Sequence, residues 1–198
     1  MIFRAFGLEV VFADVEASSL DLDKGSFPVE IGWCLDDDAG PDSFLISPSG
    51  EWDTEFGWSP VSQAIHGLRL DDLYREGIDV HEAVQRLEAV FAGRVVASDN
   101  PAFDDHWIGM VYEAARHPRS WTVMPLDDVY TLAAAAGQVD AATLVRAIHA
   151  VEAIHPHPHR AAPDAFRMAR KVRALADVDF RSRLLDSGGS VGGPVPQA

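Results

Sequence analysis

The chain has 198 residues, 47% of them hydrophobic, and a formal net charge of −15. That length supports one well-buried core and is short for two. The charge excludes a protein whose affinity comes from a long basic groove, because contacting many phosphates takes many lysines and arginines. Two kinds of partner stay open: something other than nucleic acid, or a short nucleic acid whose phosphates are bridged to the acidic protein by divalent cations.

No apolar run approaches the roughly 18 residues that cross a bilayer, and "MIFRAFGLEVVFADVE" runs into two acids where a cleavage site would have small residues. A soluble, cytoplasmic protein is expected. Cys34 is the one cysteine, so neither an internal disulfide nor a thiolate zinc cluster can form within one chain. Its neighbours Ile31, Trp33 and Leu35 mark it as a core residue. From about Asp186 onward, "DSGGSVGGPVPQA" is too rich in Gly, Ser and Pro to pack a core, so residues 186–198 are expected to be a flexible tail and 1–185 a single domain.

In chain order, "GLEVVFADVE" alternates like a strand, and "FPVEIGWCLD" and "SFLISP" read as two more, joined by the turn-rich "DDDAGPD". Next comes a short helix, "VSQAIHGL", ended by Gly67, and then an amphipathic one, "DVHEAVQRLEAVFAG", with Asp79 as its N-cap and Gly93 past its end. "RVVAS" is a short buried strand, "PAFDDHWIGMVYEAAR" a helix opened by Pro101, and "WTVMPLDDV" a strand leading into the helix "YTLAAAA". "AATLVRAIHAVEA" and "DAFRMARKVRALA" continue as helices, the second with Ala165, Met168, Ala169, Val172, Leu175 and Ala176 on one face. Strands that open together and are later separated by helices imply a mixed sheet with helices packed on it.

The chemistry begins on the first strand. Alternation puts Val10, Phe12, Asp14 and Glu16 on one face and Val11, Ala13 and Val15 on the other. Two carboxylates ending an apolar row are costly to bury and repel each other, which a divalent ion would relieve; the bland alternative is the solvated end of an edge strand. Asp104 falls in the first turn of a helix directly after a buried strand, where it can cap the helix or reach the neighbouring strand.

"EAIHPHPHRAAPDAF" holds His155, His157 and His159 in alternation, with Asp164 five residues beyond the last. Pro156 and Pro158 lack the backbone N–H that an inner strand needs, so this stretch reads as a loop, with Pro163 near the start of the next helix and Asp164 in its first turn. An imidazole and a carboxylate thereby approach one point. A metal site of all three histidines is disfavoured by the prolines.

Asp14-x-Glu16 at a strand's end, "NPAFD" ending in Asp104, and "HRAAPD" with His159 and Asp164 resemble the three motifs of the DEDDh group of 3′-to-5′ exonucleases, which includes proofreading subunits of bacterial replicases, RNase T and oligoribonuclease. "IHGL" at Ile65 to Leu68 is similar to a family segment between the first two motifs, and the resemblance spans about Glu9 to Leu175. It implies an α/β, ribonuclease H-like fold with a five-stranded mixed sheet flanked by helices, making 1–185 an exonuclease domain. It also implies two divalent ions, Mg²⁺ or Mn²⁺, held by Asp14, Glu16, Asp104 and Asp164, with His159 as general base; His155 and His157 are then expected to be exposed loop residues.

The implied reaction is hydrolysis at the 3′ end of single-stranded or short DNA or RNA, releasing nucleoside monophosphates. Ser18, Leu20 and Phe103 fall where relatives contact the terminal nucleotide, with Leu20 a wedge against the base, and Ile65 and His66 correspond to residues beside its sugar. Leu20 as a core residue and His66 as a helix-end cap are the plain alternatives. The chain departs from the family pattern at Ser19, where Gly is common, and at Asp99, where His is common. Some relatives are dimers, so a homodimer is open. The competing reading of the whole is a non-catalytic ribonuclease H-like module that binds a partner protein.

Overall fold

A computed structural model describes residues 9–35 and 40–186. Five strands form one sheet in the order β3-β2-β1-β4-β5. β1 (Val10–Ala17) lies at its centre, antiparallel to β2 (Pro28–Cys34) and parallel to β4 (Val95–Ser98). β3 (Pro41–Leu45) closes one edge antiparallel to β2, and β5 (Val123–Pro125) the other edge parallel to β4. The opening meander and the later parallel strands expected from the sequence are both present, and the fold is the α/β, mixed five-stranded architecture flanked by helices.

The alternation of β1 decides which helices pack where. Val11, Ala13 and Val15 join a core with Ala83, Val84 and Leu87 of α3 (Val80–Phe91) and Ile108 and Val111 of α4 (Pro101–Ala114). Val10 and Phe12 face the other way, onto α5 (Leu126–Ala136), α6 (Ala141–Ile154) and α7 (Ala161–Ala176). Asp14 and Glu16 continue this second row. Phe12, Ile31, Phe91, Ile108 and Leu175 are among the largest fully buried side chains, each stabilising the fold by roughly 1.5–3 kcal/mol relative to exposure. Cys34 is buried, as its neighbours suggested.

Several elements differ from the sequence reading. α1 (Pro60–His66) ends at Gly67 as expected, but a further helix, α2 (Leu70–Glu76), follows it. α2 buries only Leu73, too little to write an apolar stripe, and is held at its start by the Arg69 N–H donating to Asp72 (3.0 Å). α8 (Val178–Asp186) was also unanticipated; Asp177 accepts from the N–H of Phe180 and starts it, and Phe180 and Leu184 are buried. α5 begins at Leu126, four residues before the expected start at Tyr130, leaving β5 only three residues. The expected flexible tail from Ser187 on, and part of the turn joining β2 to β3, lie outside the described residues.

Candidate active site

Being central, β1 has no solvated edge for Asp14 and Glu16 to occupy. Pairing with β2 slips between Glu16 and Ala17, so the strand is released just past the acids. β4 runs parallel alongside, and its carboxyl end feeds α4, whose first turn carries Asp104 back towards β1. Asp104 is buried, accepting from the Ser98 hydroxyl and from the backbone N–H of Val15. Its neighbour Asp105 turns away, bonded to Arg119 (2.9 Å) and to the N–H of Val123 (2.8 Å). That division gives one aspartate to the acid cluster and the other to the β5 edge.

From the opposite side, the first turn of α7 brings in Asp164, almost fully buried, with the Arg160 N–H donating to it at 3.2 Å. Carboxylate oxygens of Asp14, Glu16 and Asp164 all lie within 4.8 Å of one another. Burial, then repulsion from Asp104, Glu16, Asp164 and Asp99, holds the Asp14 carboxyl well above the usual range. Burial and repulsion from Asp164 and Glu30 push Glu16 up to about 7, with Arg160 pulling against them. Asp104 is pushed up to about 8, chiefly by burial, despite the Ser98 hydrogen bond. Burial raises Asp164 as well, opposed by His157 and Arg167.

This donor set fits a hard divalent cation. Three carboxylates from two elements supply oxygen ligands within reach of one ion, and each gains from a positive charge between them. Mg²⁺ or Mn²⁺ suits such all-oxygen donors, and soft thiolate metals do not.

The three histidines do not converge. His155 is half-buried with its ring edge-on to Phe166, centroids 5.4 Å apart. His157 Nδ1 lies 2.8 Å from Asp164 Oδ1, with the side chain 42% exposed. His159 is exposed and stacks on the His157 ring at 4.2 Å. The expectation of exposure is corrected for His155, which is half-buried; His157 is an exposed loop residue as expected, and its ring nevertheless reaches Asp164. The physical reason lies in the backbone: Pro156 and Pro158 have fixed φ, and His159 takes a left-handed φ of 54°, so the loop turns outward at His159 and delivers the ring two residues earlier to Asp164.

Of the residues assigned to the terminal nucleotide, Leu20 and Ile65 are 68% and 48% exposed, leaving apolar surface open to a base or sugar and setting aside the core reading of Leu20. Phe103 is half-buried against Trp107. Ser18 is fully buried and its hydroxyl is engaged, donating to the Gly57 carbonyl (2.8 Å) and accepting from the Phe27 N–H (2.9 Å). His66 is buried at the end of α1; its Nδ1 accepts from the Leu68 N–H (3.0 Å), and burial lowers it to about 4, so the ring is neutral. That bond pins the turn after α1 and caps no helix carbonyl; α1 itself is closed by the Gly67 N–H donating to the Gln63 carbonyl. Ser19 builds a tight turn by accepting from the Asp21 N–H, and Asp99 is exposed beside the cluster, adding repulsion to Asp14 and Asp104. A cavity of about 360 Å³, lined by Ser98, Asp99, Tyr130, Glu152 and Lys171 among others, opens at the ends of β4 and β5.

Two residues escaped the sequence reading. Glu30, on β2 directly opposite Glu16, is buried and binds Arg160, the residue before α7. A single acid within the apolar "PVEIGWC" was the available signal, since alternation puts Glu30 on the face shared with Gly32, apart from Val29, Ile31 and Trp33.

No family model matches the chain, and no curated protein does. Solved structures are similar in fold. E. coli Exonuclease I in complex with a dA16 oligonucleotide matches with a TM-score of 0.59 and 16% identity over 91% of this chain and 42% of that one. The zinc-ion-bound complex of E. coli ExoI with ssDNA gives 0.58 at 15% identity, covering 91% and 42%, and apo Exonuclease I gives 0.57 at 14%, covering 91% and 44%. The chain thus spans about two-fifths of the length of these proteins. At such identity the likeness defines the class of fold, a ribonuclease H-like α/β domain.

Proposed function

We propose that the protein is a divalent-metal-dependent 3′-to-5′ exonuclease that removes nucleoside monophosphates from single-stranded or short nucleic acid. The observation that carries this reading is the convergence of Asp14, Glu16 and Asp164, oxygens within 4.8 Å, at the end of a central strand with Asp104 beside them. The motif resemblance supplies the polarity and the product. Support for a single-stranded substrate comes from the similar folds, which are Exonuclease I bound to a dA16 oligonucleotide and, in another structure, to a dT13 oligonucleotide.

Asp14, Glu16, Asp104 and Asp164 hold the ions. Bound Mg²⁺ or Mn²⁺ supplies charge for the phosphate oxygens and lowers the pKa of the attacking water. Leu20 and Ile65 offer exposed apolar contact to the terminal nucleotide, and the neutral His66 is buried next to Ile65 in the same helix. His159, five residues before Asp164, is the proposed base on the motif spacing. A second reading, favoured by the 2.8 Å contact, gives that role to His157: burial keeps its ring below the ordinary imidazole pKa, and the approach of Nδ1 to Asp164 leaves Nε2 as the proton acceptor.

Thermal unfolding with and without Mn²⁺, beside chromatography of products from a single-stranded oligonucleotide, tests the proposal. A rise in Tm with Mn²⁺ that is lost in Asp164→Asn, together with nucleoside monophosphates as products, is expected. A metal-insensitive Tm and no hydrolysis would favour the non-catalytic, partner-binding module.

A further inference from the structure

Glu30 and Arg160 are far apart in sequence and meet in a buried fork. Arg160 Nε donates to Glu30 Oε2 (2.9 Å) and Nη2 to Oε1 (3.0 Å). The Ala161 N–H adds a bond to Oε2 (3.1 Å) and the Ser43 hydroxyl one to Oε1 (2.9 Å), so the carboxylate is fully satisfied. Beside it, Gly32 leaves the room that the start of α7 occupies; a Cβ there would come within 2.3 Å of the Ala161 carbonyl carbon. The same Arg160 uses its backbone N–H to hold Asp164 at 3.2 Å, and it directly follows His159. One residue therefore connects a strand position to the last carboxylate of the cluster and to the histidine loop.

We propose that Glu30 and Arg160 form a positioning pair that seats the start of α7 and so holds Asp164 and the histidine loop at the acid cluster for divalent-ion binding and hydrolysis. Neither side chain is needed as a metal ligand. The pair acts through geometry: a bidentate fork fixes both distance and plane, which a single ammonium contact does not. This rests on the metal-dependent reading above. Two-thirds of the Arg160 side chain is buried with the fork, so the pair also resists motion of the loop that ends one residue earlier.

The test uses the double variant Glu30→Met/Arg160→Met, because replacing a buried ion pair by apolar side chains of similar size preserves folding better than removing one partner. Mn²⁺ affinity by calorimetry, Tm, and kcat and KM on a single-stranded oligonucleotide are measured on the folded protein. Expected are Mn²⁺ affinity and kcat both lowered about tenfold or more, with KM for the oligonucleotide changed less than about threefold. Arg160→Lys keeps the charge and loses the fork; it should show the same pattern more weakly, and it decides the question should the apolar pair not fold. Mn²⁺ affinity and kcat at the unmodified level, whatever the Tm, would overturn the proposal. Should the unmodified protein bind Mn²⁺ and cut no nucleic acid, the nuclease reading falls while the Mn²⁺ affinities still judge the pair. Absence of Mn²⁺ binding to the unmodified protein overturns both.

Discussion

Asp14, Glu16, Asp104 and Asp164 crowd one another, and the repulsion has a measurable pH signature. Glu16 and Asp104 are pushed to about 7 and about 8 from ordinary values of 4.5 and 3.8. The metal-free native state thus binds protons more tightly than the unfolded chain at these groups. Their contribution to stability is fully present below about pH 4 and is lost as pH rises through 7 and 8. In EDTA, Tm should be lower at about pH 8.5 than at about pH 6, and Mn²⁺ should raise it more at the higher pH; a Tm that rises over this window in EDTA would contradict the crowding. For the base, His159→Ala should lower kcat by about 10² to 10⁴ and His157→Ala by about tenfold, through loss of its contact with Asp164. The reverse order would move the base to His157. The acids were legible because strand alternation and first-turn helix positions are local rules. The histidines were less so, since which ring meets Asp164 depends on the left-handed turn at His159, and no pattern of letters specifies it.

At the scale of elements, the close approach of β2 and α7 constrains the site. Gly32→Ala would force a Cβ against backbone of Ala161 and Ala162, which cannot yield as a flexible side chain does. It should destabilise by about 1–3 kcal/mol and reduce activity with it, measured by denaturant unfolding and by hydrolysis of an oligonucleotide. Gly109→Ala is the matched control: inside α4 an added Cβ meets nothing within 4 Å, so stability should rise by about 0.5–1 kcal/mol. Equal effects at the two glycines would contradict the close approach. Most elements could be read from periodicity and punctuation, as with Asp79 capping α3 and Gly67 ending α1. α2 and α8 could not, because helices of seven and nine residues that bury one and three side chains are too short to repeat an apolar face. The Glu30–Arg160 fork was hidden for another reason: it joins residues 130 positions apart.

For the molecule as a whole, acidity is the property that any nucleic-acid reading has to accommodate. With 31 acidic residues against 16 lysines and arginines, the chain offers few cations to a phosphate backbone. Divalent ions at one end of the sheet can anchor the terminal phosphates while the rest of a strand stays in solvent. Substrate binding should therefore depend weakly on salt, with log KM against log salt no steeper than about 2, where a basic groove making six to ten phosphate contacts gives a far steeper line. A steep slope would point to a cationic surface, and with it a different route for the strand. Among the described residues no helix is long and apolar enough to cross a membrane. A mixed sheet with most of its helices was legible from pattern; the choice between DNA and RNA was not, because no motif marks a contact to a 2′-hydroxyl.

The central claim is tested most directly by digesting short 5′-labelled single-stranded DNA and RNA with Mn²⁺ or Mg²⁺, beside Asp14→Ala and an EDTA control. A ladder that shortens from the 3′ end, absent from both controls, is expected. Intact oligonucleotides of both kinds, with Mn²⁺ bound, would contradict it.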